Sequence, residues 1–479
     1  MKKTILLKWT ILGMMIVLLA SCGNSSNSNN QGNNENNSSD DISKEILTIT
    51  AHDFNLTMDV NESVLSSNWK ELSFATPSDK VIPCKIKTQG AYGTFALNGD
   101  TLIYIQNEEG NVSDQAVLTL GSGEKTTDIT IQIKHLYWTE VAAGYYYTMA
   151  IKSDGTLWGW GYNNFGQLGD GTTIDRSRPT KIGVSKQWKH VYTKINHTMA
   201  IKKDGTLWGW GRNSYGQIGN GTKLDKRSPT QEPSKSKEWE KASTGAEFSV
   251  ALKKDGTIWT TGRNLYGQLG NNTAVDSRVF QNITSTGTAW KDISAGYYHA
   301  SAIKNDGTMW NWGRNNYGQV GDTTVANKKV PTQEALGDSN WAKTEAGYNY
   351  TLALKSDGTL WGWGYNGNGQ IGDGTRTAKK IPVQEASMAS DWVGISGGSS
   401  HSVGIKSDHT LWGWGTNNYG QIGDGINNLK DTPDSVNFEE SWTQVSASQF
   451  HTVALTTQGT IKVLGATTGV KNYAKQWRP

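Results

Sequence analysis

The chain is 479 residues long and holds 55 glycines and 21 tryptophans but only 9 prolines and 2 cysteines. Its 46 lysines and arginines nearly balance its 43 aspartates and glutamates, so a net charge of +3 predicts neither a nucleic-acid surface nor an acid-seeking one. Abundant glycine beside abundant aromatics predicts an all-β chain of short strands and tight turns.

At the N-terminus, Lys2 and Lys3 precede an apolar run from Ile11 to Leu19 that closes on Leu19-Ala20-Ser21-Cys22. A positive start, an apolar core too short to span a bilayer and small closing residues describe a secretory signal peptide. The closing residues resemble the lipobox of bacterial lipoproteins, in which the cysteine is acylated and becomes the first mature residue. That resemblance implies a leader at 1–22, lipidation at Cys22 and a hold on the membrane of about 0.8 kcal/mol per buried methylene. Cys84 is then the one remaining thiol, unable to form an internal disulfide or a thiolate metal cluster, and is expected as a small buried hydrophobe. Residues 23–44, rich in Asn and Ser, cannot bury enough apolar surface to order and read as a flexible, disordered tether.

From 45 to 135 the pattern turns to short alternating runs, among them Phe54 to Val60, Thr101 to Ile105, Ala116 to Leu120 and Ile129 to Ile133. Period-two alternation, broken by turns such as Asn98-Gly99-Asp100, predicts a half-buried antiparallel sheet pair. Gly93 to Leu102, Tyr104 and Thr127 to Ile133 resemble the Ig-like or cadherin-like modules of bacterial surface proteins, which implies a small β-sandwich serving as a spacer. Calcium is not expected, because acidic clusters with ligand spacing are missing.

From 136 to 479 one unit of about 51 residues recurs. Each copy opens on a tryptophan, at Trp138, Trp188, Trp239, Trp290, Trp341, Trp392 and Trp442. A second recurs at Trp158, Trp208, Trp259, Trp310, Trp361 and Trp412. Asp-Gly-Thr at Asp154, Asp204, Asp255, Asp306 and Asp357 separates two apolar runs, which makes these acids hairpin residues rather than metal ligands. Trp-Gly pairs set a large side chain beside a position with none, letting strands of neighbouring units approach around a shared axis. The seven openings predict a seven-bladed β-propeller.

The repeat resembles the regulator of chromosome condensation repeat family. Its pattern is carried by Ala143-Gly144, Asp154-Gly155, Trp160-Gly161, Asn163 and Gly166-Gln167-Leu168-Gly169, and recurs over nearly all of Trp138 to Pro479. The resemblance implies a seven-bladed propeller and, through the eukaryotic founder, guanine-nucleotide exchange on a small GTPase. Departures are Trp259-Thr260-Thr261-Gly262 in the third copy, Lys194 where glycine begins the loop, His409 where glycine is usual, and a seventh copy that stops matching after Gly465.

In a closed ring, equivalent loop positions become neighbours around the axis. After the Ala-Gly position come Tyr145-Tyr146, Glu247, Tyr297-Tyr298, Tyr348-Asn349 and Phe450, and after Trp-Gly come Arg212, Arg263 and Arg314. Tyrosine and arginine combine large contact area with directional hydrogen bonds, so this set forms the candidate binding face. Packing between loops is the structural alternative for the tyrosines, and solvated or blade-bridging roles lead for the arginines. His197, His299, His401 and His451 share a position filled elsewhere by Tyr147, Phe248 and Tyr350, which points to structural hydrogen bonding rather than a metal or catalytic ring. No Ser-His-Asp order, phosphate loop or paired carboxylate stands out, so no catalytic residue, metal or cofactor is assigned.

The function read from these features is an exported, membrane-anchored interaction or adhesion protein, not an enzyme and not a nucleic-acid binder, that offers a propeller face to a protein or glycan. Exchange-factor activity fits an export signal poorly, since the GTPase would be cytosolic. A propeller enzyme such as a lyase needs clustered acids, bases or a metal in the central channel, and the repeat-equivalent positions read as lacking them.

Overall fold

A computed structural model describes residues 54–59, 64–68, 84–89, 93–98, 101–106, 114–122 and 125–466, the last span without 284–288 and 437. The leader, Cys22, the tether and the Cys84 side chain lie outside the described residues. No helix among the described residues is long and apolar enough to cross a membrane. The chain divides into two compact units at Tyr137 and Trp138.

In the first unit, β1 (Phe54–Asp59), β2 (Val64–Asn68), β3 (Cys84–Thr88), β4 (Gly93–Asn98), β5 (Thr101–Gln106), β6 (Asp114–Ser122) and β7 (Lys125–Leu136) form two sheets. Their orders are β1-β7-β6-β3 and β2-β5-β4. The expected hairpin joins β4 to β5, with Asn98 opposite Thr101. Leu118 of β6 and Ile131 of β7 are fully buried. One pairing departs from the expected antiparallel pattern: β1 runs parallel to β7, with Phe54 opposite Ile131. A parallel pair needs a long crossover, and here the connection is the rest of the unit, a relation that alternation within a strand does not encode.

The second unit begins with β8 (Trp138–Ala143), β9 (Tyr147–Lys152), β10 (Leu157–Gly161) and β11 (Arg176–Lys181), an antiparallel meander. The Asp-Gly-Thr turn joins β9 to β10 with Gly155 at φ 79°. Asp154 Oδ1 accepts from Thr156 N (3.0 Å) and Thr156 Oγ1 (2.7 Å), and Trp158 Nε1 donates to Thr156 Oγ1 (2.8 Å). The turn acid thus aims the next tryptophan as well as closing the hairpin. Trp138 and Trp158 meet edge to face at 6.0 Å, with the Lys152 ammonium 4.8 and 4.6 Å from the two ring centres. The same Trp–Lys–Trp arrangement recurs at Lys202, Lys253, Lys304, Lys355 and Lys406, an attraction between cation and ring that recurs from sheet to sheet.

Five more four-stranded sheets open at Trp188, Trp239, Trp290, Trp341 and Trp392. A three-stranded sheet follows, made of Trp442–Ala447, His451–Thr456 and Ile461–Gly465 among the described residues. The first strand of each sheet packs on the first strand of the next, and the last sheet packs on β8, so the sheets close a ring. Closure is hydrogen-bonded: Val141 N donates to Gln444 Oε1 (3.1 Å), Ala143 N to Ser446 Oγ (2.9 Å) and Trp138 N to Gly459 O (2.9 Å).

Adjacent sheets are keyed by the Gly-Gln-x-Gly loop. Trp210 Nε1 donates to Gln167 O (2.9 Å), and a side chain on Gly169 would come within 2.7 Å of that indole nitrogen. Trp312, Trp363 and Trp414 make the same bond to Gln268, Gln319 and Gln370. The third sheet lacks this tryptophan, having Thr261 instead. Phe280, on the outer strand Ser277–Asn282, fills the space and packs 5.3 Å from Trp239. Equivalent outer strands carry proline there, at Pro179, Pro229, Pro331, Pro382 and Pro433, so two departures from the repeat compensate one another.

Candidate binding face

The two loop sets singled out in the sequence emerge on one side of the ring and are knitted together. Tyr162 N donates to Tyr146 O (2.9 Å), Arg212 N to Asn196 O (2.8 Å), Arg263 N to Glu247 O (2.8 Å), Arg314 N to Tyr298 O (2.8 Å) and Tyr365 N to Asn349 O (2.9 Å). A second series runs around the axis, from Ala246 N to Tyr297 O (3.1 Å), Tyr297 N to Tyr348 O (3.2 Å) and Tyr348 N to Gly398 O (3.1 Å). Loops that lie about 51 residues apart in sequence are therefore contiguous here.

Tyr297 and Tyr348 stack at 3.8 Å with planes 24° apart, Tyr298 lies 4.4 Å from Tyr297, and Tyr266 lies 5.2 Å from Tyr298. A second cluster joins Tyr145 to Tyr146 (4.4 Å), Tyr146 to Phe450 (5.0 Å, stacked) and Phe450 to Tyr419 (5.3 Å). Burial, the hydrogen bond with Tyr297 and the nearby phenols of Tyr297, Tyr145 and Tyr298 hold the Tyr348 phenol well above its usual range. Burial and Tyr145 push the Tyr146 phenol up to about 12. Tyr146 also adopts φ 59°, the left-handed region that non-glycine residues occupy at a cost. The same loops expose Ile174, Leu224, Leu265, Val275, Tyr317 and Tyr419, giving the face an apolar outer zone.

Each arginine lies on an aromatic ring of the preceding sheet: Arg212 over Phe165 (5.4 Å), Arg263 over Tyr215 (4.8 Å) and Arg314 over Tyr266 (5.4 Å). Glu247 accepts from Arg263 Nη1 (2.5 Å) and Tyr298 Oη (3.3 Å), with Arg212 at 3.7 Å. Asn349 Oδ1 is buried without a partner among the described residues. The arginines thus bridge sheets, and all the candidate binding residues share one face.

The histidines form circumferential links instead. Nε2 of His197, His299 and His401 meets Ser249 Oγ (2.8 Å), Thr351 Oγ1 (3.1 Å) and Thr452 Oγ1 (2.9 Å) of the following sheet. Tyr147 and Tyr350 make the same reach to Thr198 (3.1 Å) and Ser402 (2.8 Å). Phe248, which has no donor, is followed at the partner position by Ala300. Burial lowers the imidazoles of His197, His299 and His401 to about 3 and that of His451 to about 4, so all four are neutral.

The central channel holds acids and bases that the sequence reading missed. The second residue after each opening tryptophan is Glu140, His190, Lys241, Asp292, Lys343, Gly394 or Gln444, a signal that was available. Glu140 Oε1 accepts from Val191 N (2.9 Å) while Oε2 meets His190 Nδ1 (2.9 Å). Asp292 Oδ2 accepts from Thr344 N (3.0 Å) while Oδ1 pairs with Lys241. Each carboxylate therefore spends one oxygen on the neighbouring sheet's backbone and the other on a basic neighbour. Glu140, His190, Tyr192, Lys241 and Gln444 line a cavity of about 550 Å³. Lys194, the departure from glycine, is half-buried and reaches Ala295 O (3.1 Å) and Ala346 O, and desolvation lowers its ammonium to about 8. No group of three His, Cys, Asp or Glu residues among those described is placed to hold a metal.

A ring of antiparallel sheets with their first strands at the axis defines a β-propeller. The chain belongs to the RCC1-like family: the RCC1-like domain matches residues 227–475, and the regulator of chromosome condensation (RCC1) repeat matches 154–201, 138–167 and 188–217. It is 30% identical over 334 residues to the ultraviolet-B receptor UVR8 of Arabidopsis thaliana, covering 68% of this chain and 76% of UVR8. Identity to the human E3 ubiquitin-protein ligase HERC2 is 28% over 325 residues, 66% of this chain but only 6% of HERC2. The structure of Prp20p from Saccharomyces cerevisiae superposes with a TM-score of 0.59 at 21% identity, covering 66% of this chain and 82% of Prp20p, a likeness of fold.

Proposed function

We propose that the protein is a membrane-anchored extracytoplasmic lipoprotein, acylated at Cys22, that presents a seven-bladed propeller as a docking platform for a protein partner. Residues 45–135 serve as an Ig-like spacer between tether and propeller. The observation that carries the platform is the stacking of Tyr297 on Tyr348 and of Tyr146 on Phe450, contributed by four different sheets, with Tyr145 against Tyr146, among loops joined by backbone hydrogen bonds on one side of the ring. Large, half-buried phenols in a tract with an apolar surround are the composition of binding hot spots.

A protein partner is favoured over a glycan by the ring geometry. Tyr297 and Tyr348 spend their faces on each other, as do Tyr146 and Phe450, so the tract offers edges and hydroxyls rather than open faces for sugar rings. Prp20p is described by its binding properties to Gsp1p and histones, but at 21% identity that likeness supports the fold alone. Glu140 and Asp292 in the channel are engaged with backbone and basic neighbours, which favours a structural over a catalytic role for these two acids.

Partner capture from membrane and culture fractions tests the platform, with the full chain compared against a variant carrying Tyr145→Ala, Tyr297→Ala and Tyr348→Ala. Loss of a specific partner in the variant is expected, and equal recovery by both forms would sink the face. For the anchor, Cys22→Ala is expected to release the protein from membranes.

A further inference from the structure

Arg314 is the uncompensated charge of the tyrosine face. Its guanidinium carbon lies 5.4 Å from the Tyr266 ring centre and 6.0 Å from that of Tyr317. Its Nε is buried with no hydrogen-bond partner, and no carboxylate pairs with it among the described residues. The two preceding arginines differ, because Arg263 donates to Glu247 at 2.5 Å and Arg212 approaches the same carboxylate at 3.7 Å. Two guanidinium groups thus share the Glu247 carboxylate, and Arg314 is seated on tyrosine rings instead.

Arg314 as a residue is only partly buried, so its terminal Nη1 and Nη2 groups are the donors that an incoming anion can meet. The planar fork of a guanidinium matches a carboxylate through two parallel hydrogen bonds. The nearby Tyr266 and Tyr317 rings thin the surrounding water, which strengthens an ionic bond formed there. From Arg314 the tract Tyr266, Tyr298, Tyr297, Tyr348 leads inward with ring spacings of 5.2, 4.4 and 3.8 Å, a row long enough to engage a peptide rather than an isolated ion.

We propose that Arg314, held between Tyr266 and Tyr317, binds a carboxylate of an acidic peptide segment in the docked protein. This rests on the platform reading and names the chemistry of the partner. The positive excess of the Arg212, Arg263 and Arg314 sector is complementary to such a segment.

The test measures anisotropy of a fluorescein-labelled hexa-aspartate peptide titrated with the full chain, alongside hexa-asparagine and a sulfated hexasaccharide. Arg314→Gln and Arg314→Lys are compared with Arg178→Gln on the exposed outer strand β11 as control. Saturable hexa-aspartate binding is expected, weakened about tenfold or more by Arg314→Gln, equivalent to about 1.4 kcal/mol. Arg314→Lys retains part of it, since an ammonium cannot make the paired bonds, while Arg178→Gln changes nothing and hexa-asparagine does not bind. Because Arg314→Gln also removes the ring contacts with Tyr266 and Tyr317, its thermal unfolding is recorded alongside, and a cooperative transition well above the assay temperature separates lost binding from lost folding. Hexa-aspartate binding that ignores Arg314→Gln, or no hexa-aspartate binding at all, overturns the proposal. Arg314-dependent binding of the hexasaccharide without the peptide also overturns it and assigns the site to a glycan. Should the tyrosine variant lose a captured partner that Arg314→Gln keeps, the platform stands and the carboxylate site falls; should both keep it, both fall.

Discussion

The Nε2 of His197 lies 2.8 Å from Ser249 Oγ in the next sheet, and burial keeps the imidazole neutral with its pKa lowered to about 3. His299, His401 and His451 are held in the same way. An unfolded histidine takes up a proton below about pH 6.5, whereas these four do not until about pH 3 to 4, so their contribution is present above 6.5 and lost as pH falls. At about pH 5 each opposes folding, and the four act in the same direction against a stability of only about 5–15 kcal/mol. Tryptophan fluorescence is expected to report unfolding above about pH 4. His197→Phe paired with Ser249→Ala, which copies Phe248 and Ala300, is expected to move that midpoint to lower pH, and an unmoved midpoint would contradict the linkage.

Phe280 and Thr261 form a compensating pair, because the phenyl ring occupies the space that an indole fills in neighbouring sheets. Phe280→Pro alone is expected to destabilise by about 3 kcal/mol through the cavity it opens. Thr261→Trp alone overpacks the site at a cost of about 1–3 kcal/mol. The double change restores the pattern of the other sheets and recovers most of both losses. Urea unfolding of the four proteins measures the coupling, and simple additivity would refute it.

Lys194 carries its charge inside the channel with a pKa lowered to about 8. Between about pH 8 and 10.4 the unfolded chain holds a proton on this lysine that the folded chain has released, so its contribution to stability rises with pH across that window. At neutral pH the buried ammonium costs up to about 3 kcal/mol. Lys194→Met is therefore expected to be at least as stable as the parent at pH 7 and to lack the parent's gain between pH 8 and 10. Unfolding curves at the two ends of the window decide it, and parallel pH dependence would refute the assignment.

Much of the ring was legible because its determinants are local. Every sheet begins at one of the seven tryptophans read as openings, and the Asp154 turn lies where Asp-Gly-Thr placed it. The site was legible as a set of positions but not as a set of contacts. Stacking of Tyr297 on Tyr348, or the seat of Arg314 on Tyr266, depends on the rotation between sheets, which no single repeat encodes. The channel acids and bases were overlooked because they occupy variable positions of a strand read only for its apolar residues, although Glu140 lies beside His190 and Lys241 beside Asp292. The parallel pairing of β1 with β7 joins strands at opposite ends of the first unit and leaves no local trace.

The bond from Val141 to Gln444 joins residues 303 positions apart, so the first sheet acquires its second neighbour only when the last has been made. Until then β8 keeps backbone donors without their final acceptors, at an edge that any extended segment can pair with. Closing over so long a stretch costs conformational entropy that pairing within one sheet does not. Closure of the ring thus depends on the sheet that opens at its final tryptophan, Trp442, which supplies the side-chain acceptors for Val141 N and Ala143 N.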